Sequence, residues 1–245
     1  MTFYQEIAPY YDDIFPVRQG QIDFLEEQAA GKQASFLDVA CGTAGISMAL
    51  AKRGHRVTGF DNNEEMVAAG KEKCSREKLD TLSLCVGDML DLSFLKERYD
   101  VIFSLGNSLV HLDTKKDIKR FLEEAKDRLT EDGRLVLQTI NYDRIMKFQV
   151  NALPTIENEA KGVRFVRKYH YDKEIQKIRF QTVFTKEQIQ RENEVCLIPL
   201  LSSQLIRMLE ETGYTHIRSY GGFDGREFET DTSYPLIVTA EKGKQ

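Results

Sequence analysis

The chain has 245 residues and a net charge of −5, and acidic and basic side chains are mixed along its length. A chain of this size can bury a substantial core, and we expect one large domain or a domain with a modest insertion. Nucleic-acid-binding proteins usually carry a basic face, and no basic run occurs here, so we expect no nucleic-acid partner.

The amino-terminal stretch and the cysteines bear on where the protein works. Residues 1–15 have neither the basic nor the apolar region of a signal peptide. No run of apolar residues is long enough to predict a membrane span. The cysteines at positions 41, 74, 85 and 196 form no paired motif, which favours reduced thiols. We therefore predict a cytoplasmic protein with no membrane partner, whereas the sequence does not indicate its oligomeric state.

Short β-rich runs alternate with helical patterns over the first 140 residues. Strands are predicted at 35–40, 56–60, 82–86, 101–105 and 134–140, helices at 45–52, 64–73 and 118–129, and a turn at 131–133. In the last of these helices the apolar residues recur at helical spacing and share one face. Regular alternation of strand and helix predicts a parallel sheet with helices on both sides.

This rhythm changes near residue 157 and returns after Pro199. Strands predicted at 163–166, 177–184 and 195–198, with a polar turn at 172–174, indicate an antiparallel meander of about 40 residues inserted into the main sheet. A helix at 203–211, closed by Gly213, and strands at 216–220 and 235–240 follow. The predicted fold class is therefore α/β, a doubly wound, seven-stranded, mostly parallel sheet whose last strand is antiparallel. Residues 1–150 and 199–245 would form this core, and residues 151–198 the small antiparallel β insertion.

The strongest local signal is the segment DVACGTAG at 38–45, which ends the first predicted strand and begins the next helix. Gly42 and Gly45 have no Cβ, so the backbone can approach a ligand and the helix can pack closely on the strand. Asp38 lies near the end of the strand, where its side chain can order the loop. The segment fits a nucleotide-type cofactor, and a tight strand-to-helix turn is the alternative interpretation.

Acidic residues also end the next two predicted strands. Asp61 comes about 20 residues after the glycine loop, where a carboxylate can accept both hydroxyls of an adenosine ribose. It is also placed to cap the following helix. Asp88 follows the third strand and can accept from an adenine amino group, and Met89 can cover the ring. We include Asn62 and Met66, which follow Asp61, in the predicted cofactor site.

Nicotinamide dinucleotides and S-adenosylmethionine both contain adenosine and must be distinguished. Dinucleotide-binding loops usually read G-x-G-x-x-G, but Ala40 stands at the first glycine position here. No nearby basic residue follows the loop to meet a diphosphate. Because S-adenosylmethionine carries no phosphate, we predict it as the cofactor, with a nicotinamide oxidoreductase as a remote alternative.

Three segments resemble the class I S-adenosylmethionine-dependent methyltransferases, and specifically the glycine/sarcosine N-methyltransferases. They are DVACGT at 38–43 together with Asp61, LGNSLVHL at 105–112, and NYDRI at 141–145. The resemblance implies a Rossmann-like methyltransferase fold and an enzyme that methylates a nitrogen, or an oxygen, of a small-molecule acceptor. A binding module of the same fold, which holds the cofactor without turnover, is the alternative.

The resemblance also implies roles for individual residues. Ala40 and Gly42 would face the methionine part of the cofactor, the backbone of Leu105 would accept from its amino group, and Arg18 would bind its carboxylate. For Arg18 the alternative is a solvated charge at the head of a helix.

A further set would lie at the reaction cleft. We predict His111, Asn107 and Tyr11 as catalytic, with His111 as the base that removes the proton of the acceptor. For His111 the alternative is a histidine packed under the edge of the sheet. The predicted substrate-binding residues are Tyr10, Ser108, Tyr142 and Tyr169. No metal-binding constellation occurs, so no metal is predicted.

One position departs from the resemblance. The glycine-specific enzymes have an arginine just before the Asn-Tyr-Asp segment to bind the substrate carboxylate, and this chain has Ile140 there. A branched apolar side chain offers no bidentate clamp for a carboxylate. We therefore expect glycine to be a poor acceptor.

Two aromatic groups complete the predicted site. Phe3, Tyr4, Tyr10, Tyr11 and Phe15 lie in the first fifteen residues and predict either a lid over the cleft or the core packing of a first helix. The β insertion, with Tyr169 and Tyr171, is predicted to roof the acceptor pocket, and half-buried strand tyrosines are the alternative.

Overall fold

The computed structural model describes residues 6–29 and 33–243. The strands are β1 (Ser35–Val39), β2 (Arg56–Asp61), β3 (Leu82–Val86), β4 (Tyr99–Ser104), β5 (Leu129–Ile140), β6 (Ala152–Asn158), β7 (Val163–Asp172), β8 (Lys177–Lys186), β9 (Ile189–Leu197), β10 (Tyr214–Tyr220) and β11 (Pro235–Lys242). The α-helices are α1 (Tyr11–Ile14), α2 (Gln19–Gln28), α3 (Gly45–Lys52), α4 (Glu64–Glu77), α5 (Lys115–Arg128), α6 (Tyr142–Phe148) and α7 (Ser202–Glu211). None of the helices in this described part is long and apolar enough to span a membrane.

The main sheet has seven strands in the order β10-β11-β5-β4-β1-β2-β3. Strand β1 is parallel to both of its neighbours, β2 and β4, and β11 is antiparallel to β5 and β10. The predicted fold class is confirmed, including the antiparallel last strand. Because the order of the strands reverses at β1 and β4, their carboxyl ends border the crevice where sheets of this class bind ligands.

Both faces of the sheet are covered, and β1 shows how. All five of its residues are buried, and alternate side chains enter different cores because successive residues of a strand point to opposite faces. Leu37 and Val39 belong to the core that α5 and α7 cover, whereas Phe36 belongs to the core that α2 and α3 cover. Burying each such side chain contributes roughly 1.5–3 kcal/mol, so β1 is held firmly between two layers.

The predicted small antiparallel β insertion is confirmed: its strands form a separate antiparallel sheet in the order β6-β7-β8-β9. It differs from the prediction in one respect, since it has a fourth strand, β6, which begins before residue 157. Pro154 weakens the strand signal there, and it is tolerated because β6 lies at an edge of its sheet.

The turn predicted at 131–133 is also wrong. These residues lie within β5, where the pairing with β4 shifts: Tyr99 is opposite Leu129, and Val101 is opposite Arg134. Three extra residues therefore bulge out of β5. Glu131 and Asp132 are exposed in this bulge, which explains why their polarity resembles that of a turn.

Residues 6–15, here called the N-terminal segment, contain a short 3-10 helix (Ala8–Tyr10) and α1. Its Ile7 and Ile14 are fully buried in a third cluster, with Met66 of α4 and Phe165 of β7. The segment thus packs against both the core and the insertion. Phe3 and Tyr4, also predicted as part of a lid, lie outside the described residues.

Candidate active site

An open cavity of about 1620 Å³ lies at the carboxyl ends of β1 and β4 and is covered by the small sheet. The predicted site residues that line it are Tyr11, Arg18, Asp38, Ala40, Leu105, Asn107, His111 and Tyr169. Those that do not line it are Tyr10, Gly42, Asp61, Asn62, Met66, Asp88, Met89, Ser108 and Tyr142. The structure therefore brings predicted residues at the ends of β1 and β4 together with Tyr11, Arg18 and Tyr169. The other predicted residues do not line the cavity.

The loop after β1 has a strained backbone. Ala40 and Ala44 have φ values of 61° and 62°, and Gly42 between them has 55°. A non-glycine residue in this region costs about 1–2 kcal/mol. The loop is fixed by neighbours, since Cys41 N donates to Phe60 O at 2.9 Å. Strain held in place by surrounding structure is common at ligand sites, because it keeps the backbone in one shape.

Asp61 connects this loop to the loop after β2. Its Oδ2 accepts from Gly42 N and its Oδ1 from Asn63 N, both at 2.9 Å. The cap of α4 is Asn63, whose Oδ1 accepts from Met66 N at 2.9 Å, so the alternative of Asp61 as the helix cap is wrong. Burial raises the pKa of Asp61 above its ordinary value. Its carboxylate oxygens keep further lone pairs for a ligand.

Asp38 is the most deeply buried acid of the site, with 4% of its surface exposed. Burial raises its pKa to about 7, the charge of Asp61 adds to the rise, and a hydrogen bond from Ser47 opposes it. That bond, from Ser47 Oγ to Asp38 Oδ2, is 2.6 Å long. A carboxyl poised in this way loses its proton readily when a cation comes near.

The third predicted acid lies apart from the cavity. Asp88 is exposed after β3, and its Oδ1 accepts from Leu90 N at 2.9 Å in a turn. Met89 is half-buried against the main core. The arrangement leaves Asp88 accessible at the same edge of the sheet as Asp61, since β2 and β3 are adjacent and parallel.

The loop after β4 is held in place by hydrogen bonds of the Asn107 side chain. Asn107, at φ 73°, accepts from Ile140 N at 2.9 Å through its Oδ1 and donates to the Tyr142 hydroxyl at 3.0 Å through its Nδ2. Tyr142 is fully buried, so it supports Asn107 and does not line the cavity. Gly106, at φ 77°, has nothing within 4 Å of where a Cβ would lie, and its backbone therefore faces open space.

The last residues of this loop carry polar groups toward the site. Ser108 Oγ donates to Leu105 O at 3.1 Å, which leaves that carbonyl one free lone pair. His111 ends the adjoining 3-10 helix, and its ring is accessible from the cavity. Desolvation by the surrounding residues lowers the pKa of His111 below its ordinary value, which favours the neutral ring near pH 7, although the side chain is exposed on its cavity side. The alternative of a histidine packed out of reach does not fit this placement.

The N-terminal segment covers one side of the cavity. A Cβ on Gly42 would lie 3.2 Å from Tyr11 Cε1, so the tyrosine ring rests on the loop after β1. Tyr10 stacks on Phe184 of β8 with 5.3 Å between ring centroids, and Lys186 Nζ lies 4.4 Å from the centre of the Tyr10 ring. The segment therefore joins the loop to the small sheet above it.

Arg167 and Thr182 of the small sheet are among the polar residues that line the cavity and were not predicted. They lie opposite each other on β7 and β8. Residues 163, 165, 167, 169 and 171 share one face of a strand, and all except Arg167 are apolar or aromatic. A lone arginine in such a row is a signal that could have identified it. In the described part of the chain, no group of three or more His, Cys, Asp or Glu side chains is placed to hold a metal ion.

Comparisons with known proteins agree with this geometry. Residues 36–133 match the family model of a methyltransferase domain. The chain is 30% identical over 220 residues to the glycine/sarcosine N-methyltransferase of Halorhodospira halochloris, covering 89% of this chain and 79% of that protein. It is 28% identical over 218 residues to the corresponding protein of Aphanothece halophytica, covering 89% and 78%. The structure of the CcbJ methyltransferase from Streptomyces caelestis aligns over 99% of both chains with a TM-score of 0.84 at 21% identity, which shows a shared fold.

Proposed function

Because the chain belongs to the family of S-adenosylmethionine-dependent methyltransferases that includes the glycine/sarcosine N-methyltransferases, we propose that it methylates a nitrogen of a small-molecule acceptor in the cavity described above. Its cofactor is S-adenosylmethionine. The observation that carries the proposal is the cavity bordered by the loops after β1 and β4 and covered by the small sheet. It is large enough for a cofactor and an acceptor together.

The residues present fit this cofactor. Acidic side chains end three adjacent strands: Asp38 on β1, Asp61 on β2 and Asp88 after β3. Such a set of acids suits S-adenosylmethionine, which carries no phosphate. In the proposal, Asp61 accepts the ribose hydroxyls, Asp88 with Met89 binds the adenine, and Asp38 lies near the positive charges of the methionine part. The bound group supplies a methyl carried on a sulfonium, which is ready for in-line displacement.

The residues of the loop after β1 would set the position of the cofactor. The backbone of Ala40 and Gly42 can approach the cofactor closely. The hydrogen bond from Gly42 N to Asp61 fixes the distance between this loop and the carboxylate proposed to bind the ribose. Leu105 O, with one lone pair free, is the proposed acceptor for the cofactor's amino group. Arg18 caps α2 at the rim of the cavity and is the proposed partner of its carboxylate.

On the acceptor side, His111 and Asn107 have different proposed tasks. The neutral His111 ring can accept a hydrogen bond or a proton from the attacking amine. The side chain of Asn107 is occupied by Ile140 and Tyr142, which supports a positioning role that fixes the loop bearing His111. Tyr11 and Tyr169 would exclude water from opposite sides.

The experiment that tests the proposal combines binding with turnover. Calorimetry is expected to show binding of S-adenosylmethionine and S-adenosylhomocysteine but not of NAD. Formation of S-adenosylhomocysteine is then followed with a panel of primary and secondary amines and matched alcohols. Amine-dependent product is the expected result. Cofactor binding without acceptor-dependent product across the panel would instead indicate a binding module.

A further inference from the structure

The inner face of the small sheet has a composition suited to a particular kind of ligand. Phe165, Arg167 and Tyr169 alternate along β7, and Phe180 and Thr182 alternate along β8, and all five line the cavity. The register sets Arg167 opposite Thr182 and Tyr169 opposite Phe180. Cross-strand partners such as these share one face, so a polar patch lies within an aromatic surface.

Two polar atoms of this patch are buried without partners. Arg167 Nε and Thr182 Oγ1 have no hydrogen-bond partner among the described residues, whereas the Tyr169 hydroxyl has the Tyr142 hydroxyl as a hydrogen-bonding neighbour. Thr182 is 2% exposed and Tyr169 5% exposed. An unpaired buried polar group costs about 1–3 kcal/mol, and most such groups in native proteins are paired. Two of them on directly opposite residues of strands that line the cavity indicate that a ligand completes them.

Arg167 differs from the other arginines of this sheet. Its Nη2 donates to Pro154 O at 2.7 Å, and no carboxylate of the described residues pairs with it. On the outer face of the same strand, Arg164 pairs with Glu157 at 3.1 Å, and on β8 Arg179 pairs with Asp172 at 2.7 Å. Arg167 is therefore a cation on the cavity wall that no carboxylate of residues 6–29 or 33–243 pairs with.

We propose that Arg167, with Thr182 and Tyr169, binds a carboxylate of the acceptor, and that Phe165 and Phe180 contact an apolar body attached to it. A guanidinium presents planar paired donors that match a carboxylate. This inference rests on the proposed function, because it describes the acceptor of the same site.

The geometry also distinguishes this acceptor from glycine. Ile140 leaves the wall beside Asn107 without a cation, so the carboxylate is bound on the roof, away from the loop that carries His111. The cavity of about 1620 Å³ exceeds the 300–1,000 Å³ of ordinary ligand pockets, so it holds more than the cofactor and a two-carbon amino acid. The acceptor is thus an amine with an apolar body and a carboxylate at its far end.

The test uses amines that differ only in a carboxylate. 4-(Aminomethyl)benzoate is compared with 4-methylbenzylamine, 6-aminohexanoate with hexylamine, and 8-aminooctanoate with octylamine, each by calorimetry in the presence of S-adenosylhomocysteine. We expect at least one carboxylate-bearing member to bind wild type roughly tenfold or more tighter than its partner, as charge-assisted hydrogen bonds imply. Arg167→Gln is expected to abolish that preference and Arg167→Lys to restore part of it.

Controls separate the inference from the proposed function. Arg164→Gln removes a cation from the outer face of the same strand and is expected to change none of these affinities. Cofactor affinity and melting temperature are expected to be the same in Arg167→Gln and wild type. If no carboxylate-bearing probe binds at millimolar concentration, or if Arg167→Gln keeps the preference, the inference is wrong. Amine-dependent methyl transfer would then still support the function, whereas failure to bind S-adenosylmethionine would contradict the function itself.

Discussion

Asp12 Oδ1 accepts a 2.5 Å hydrogen bond from Thr43 Oγ1. Asp12 belongs to the N-terminal segment, and Thr43 to the strained loop after β1. The other oxygen of Asp12 accepts from Lys73 Nζ of α4 at 2.6 Å. The segment that covers the cavity is therefore fastened to the loop that it covers, and we expect these contacts to slow the release of a ligand bound under Tyr11.

The first prediction concerns this fastening. Asp12→Ala is expected to speed the release of S-adenosylhomocysteine by roughly three- to tenfold, because a side-chain hydrogen bond contributes about 1 kcal/mol. Lys73→Gln removes only the partly exposed ion pair, and we expect a change of less than about twofold. Stopped-flow measurement of release checks both. Equal release rates in Asp12→Ala and wild type would show that the contact does not hold the segment closed.

The second prediction concerns Asp61. Asp61→Ala is expected to weaken cofactor binding by roughly 2–4 kcal/mol, since each charge-assisted hydrogen bond contributes about 1.5–3 kcal/mol. The variant also loses the bond that fixes Gly42. Asp80→Asn, at an exposed carboxylate before β3, is the matched control and is expected to have no effect. A loss below about 0.5 kcal/mol in Asp61→Ala with the fold intact would exclude the ribose role.

The third prediction is a pH dependence set by Asp38. Its pKa is about 7 in the folded chain and 3.8 ordinarily, so between these values the unfolded chain is ionised and the folded chain keeps the proton. The free energy of unfolding should therefore fall as pH rises from about 4 to 7, by up to roughly 4 kcal/mol from this group. Asp38→Asn should flatten that decline, which denaturant titrations across this range would show.

The same group links protons to cofactor binding. A cationic ligand favours ionised Asp38, so affinity should rise as pH approaches 7 and binding should release a proton. Calorimetry at pH 6 in buffers of different ionisation enthalpy measures the release. Proton release of the same size in Asp38→Asn would assign it to another group.

The fourth prediction concerns His111. Because its pKa lies well below the ordinary value, His111 does not titrate between pH 6 and 8, and the rise of kcat/KM with pH reflects the acceptor amine. His111→Gln is expected to lower kcat by roughly 10²-fold, as loss of a general base does, without moving the midpoint of that rise. A midpoint near 6.5 in wild type that disappears in the variant would mean that the histidine is charged in the free enzyme.

The fifth prediction concerns the acceptor. Ile140 is 8% exposed and lines the cavity, and its apolar side chain cannot pair with a small carboxylate. Glycine and sarcosine are therefore expected to be poor acceptors in a methyl-transfer assay. Efficient turnover of either would contradict this, and its loss in Arg167→Gln would show that the roof arginine reaches even the smallest amino acids.

Much of the fold follows from local sequence patterns, and the exceptions have physical causes. The parallel core is predictable because its buried strands and amphipathic helices alternate regularly, and α5 is an example. The small sheet is predictable as an antiparallel insertion, but its full strand pairing is not, because strand periodicity reports which face is buried but not which strand it joins. Strand β6 escapes prediction because Pro154 interrupts it, and the bulge at 131–133 because its exposed acids resemble a turn.

Some residues of the candidate site are likewise predictable from the sequence, and others are not. Asp38, Asp61 and Asp88 are predictable because strand ends in a parallel sheet meet at one edge. The bond between Asn107 and Tyr142 joins loops 35 residues apart, and no local pattern indicates it. Asp12 and Arg167 are not predictable as site residues for a related reason. A charged residue in a helix or strand is usually solvated, and only the tertiary structure shows which charged residues face a cavity.

The N-terminal segment also bears on how the chain reaches this structure. Asn158 Nδ2 donates to Asp13 O across 145 residues, and Glu6 pairs with Arg191 at 2.8 Å. The N-terminal segment is synthesised before Asn158 and Arg191 and therefore waits for partners that follow much later in the chain. Contacts at such separation form slowly, because a long loop must close before they are gained. We expect the two sheets to assemble before the cleft is enclosed, so the binding site is among the last parts of the molecule to mature.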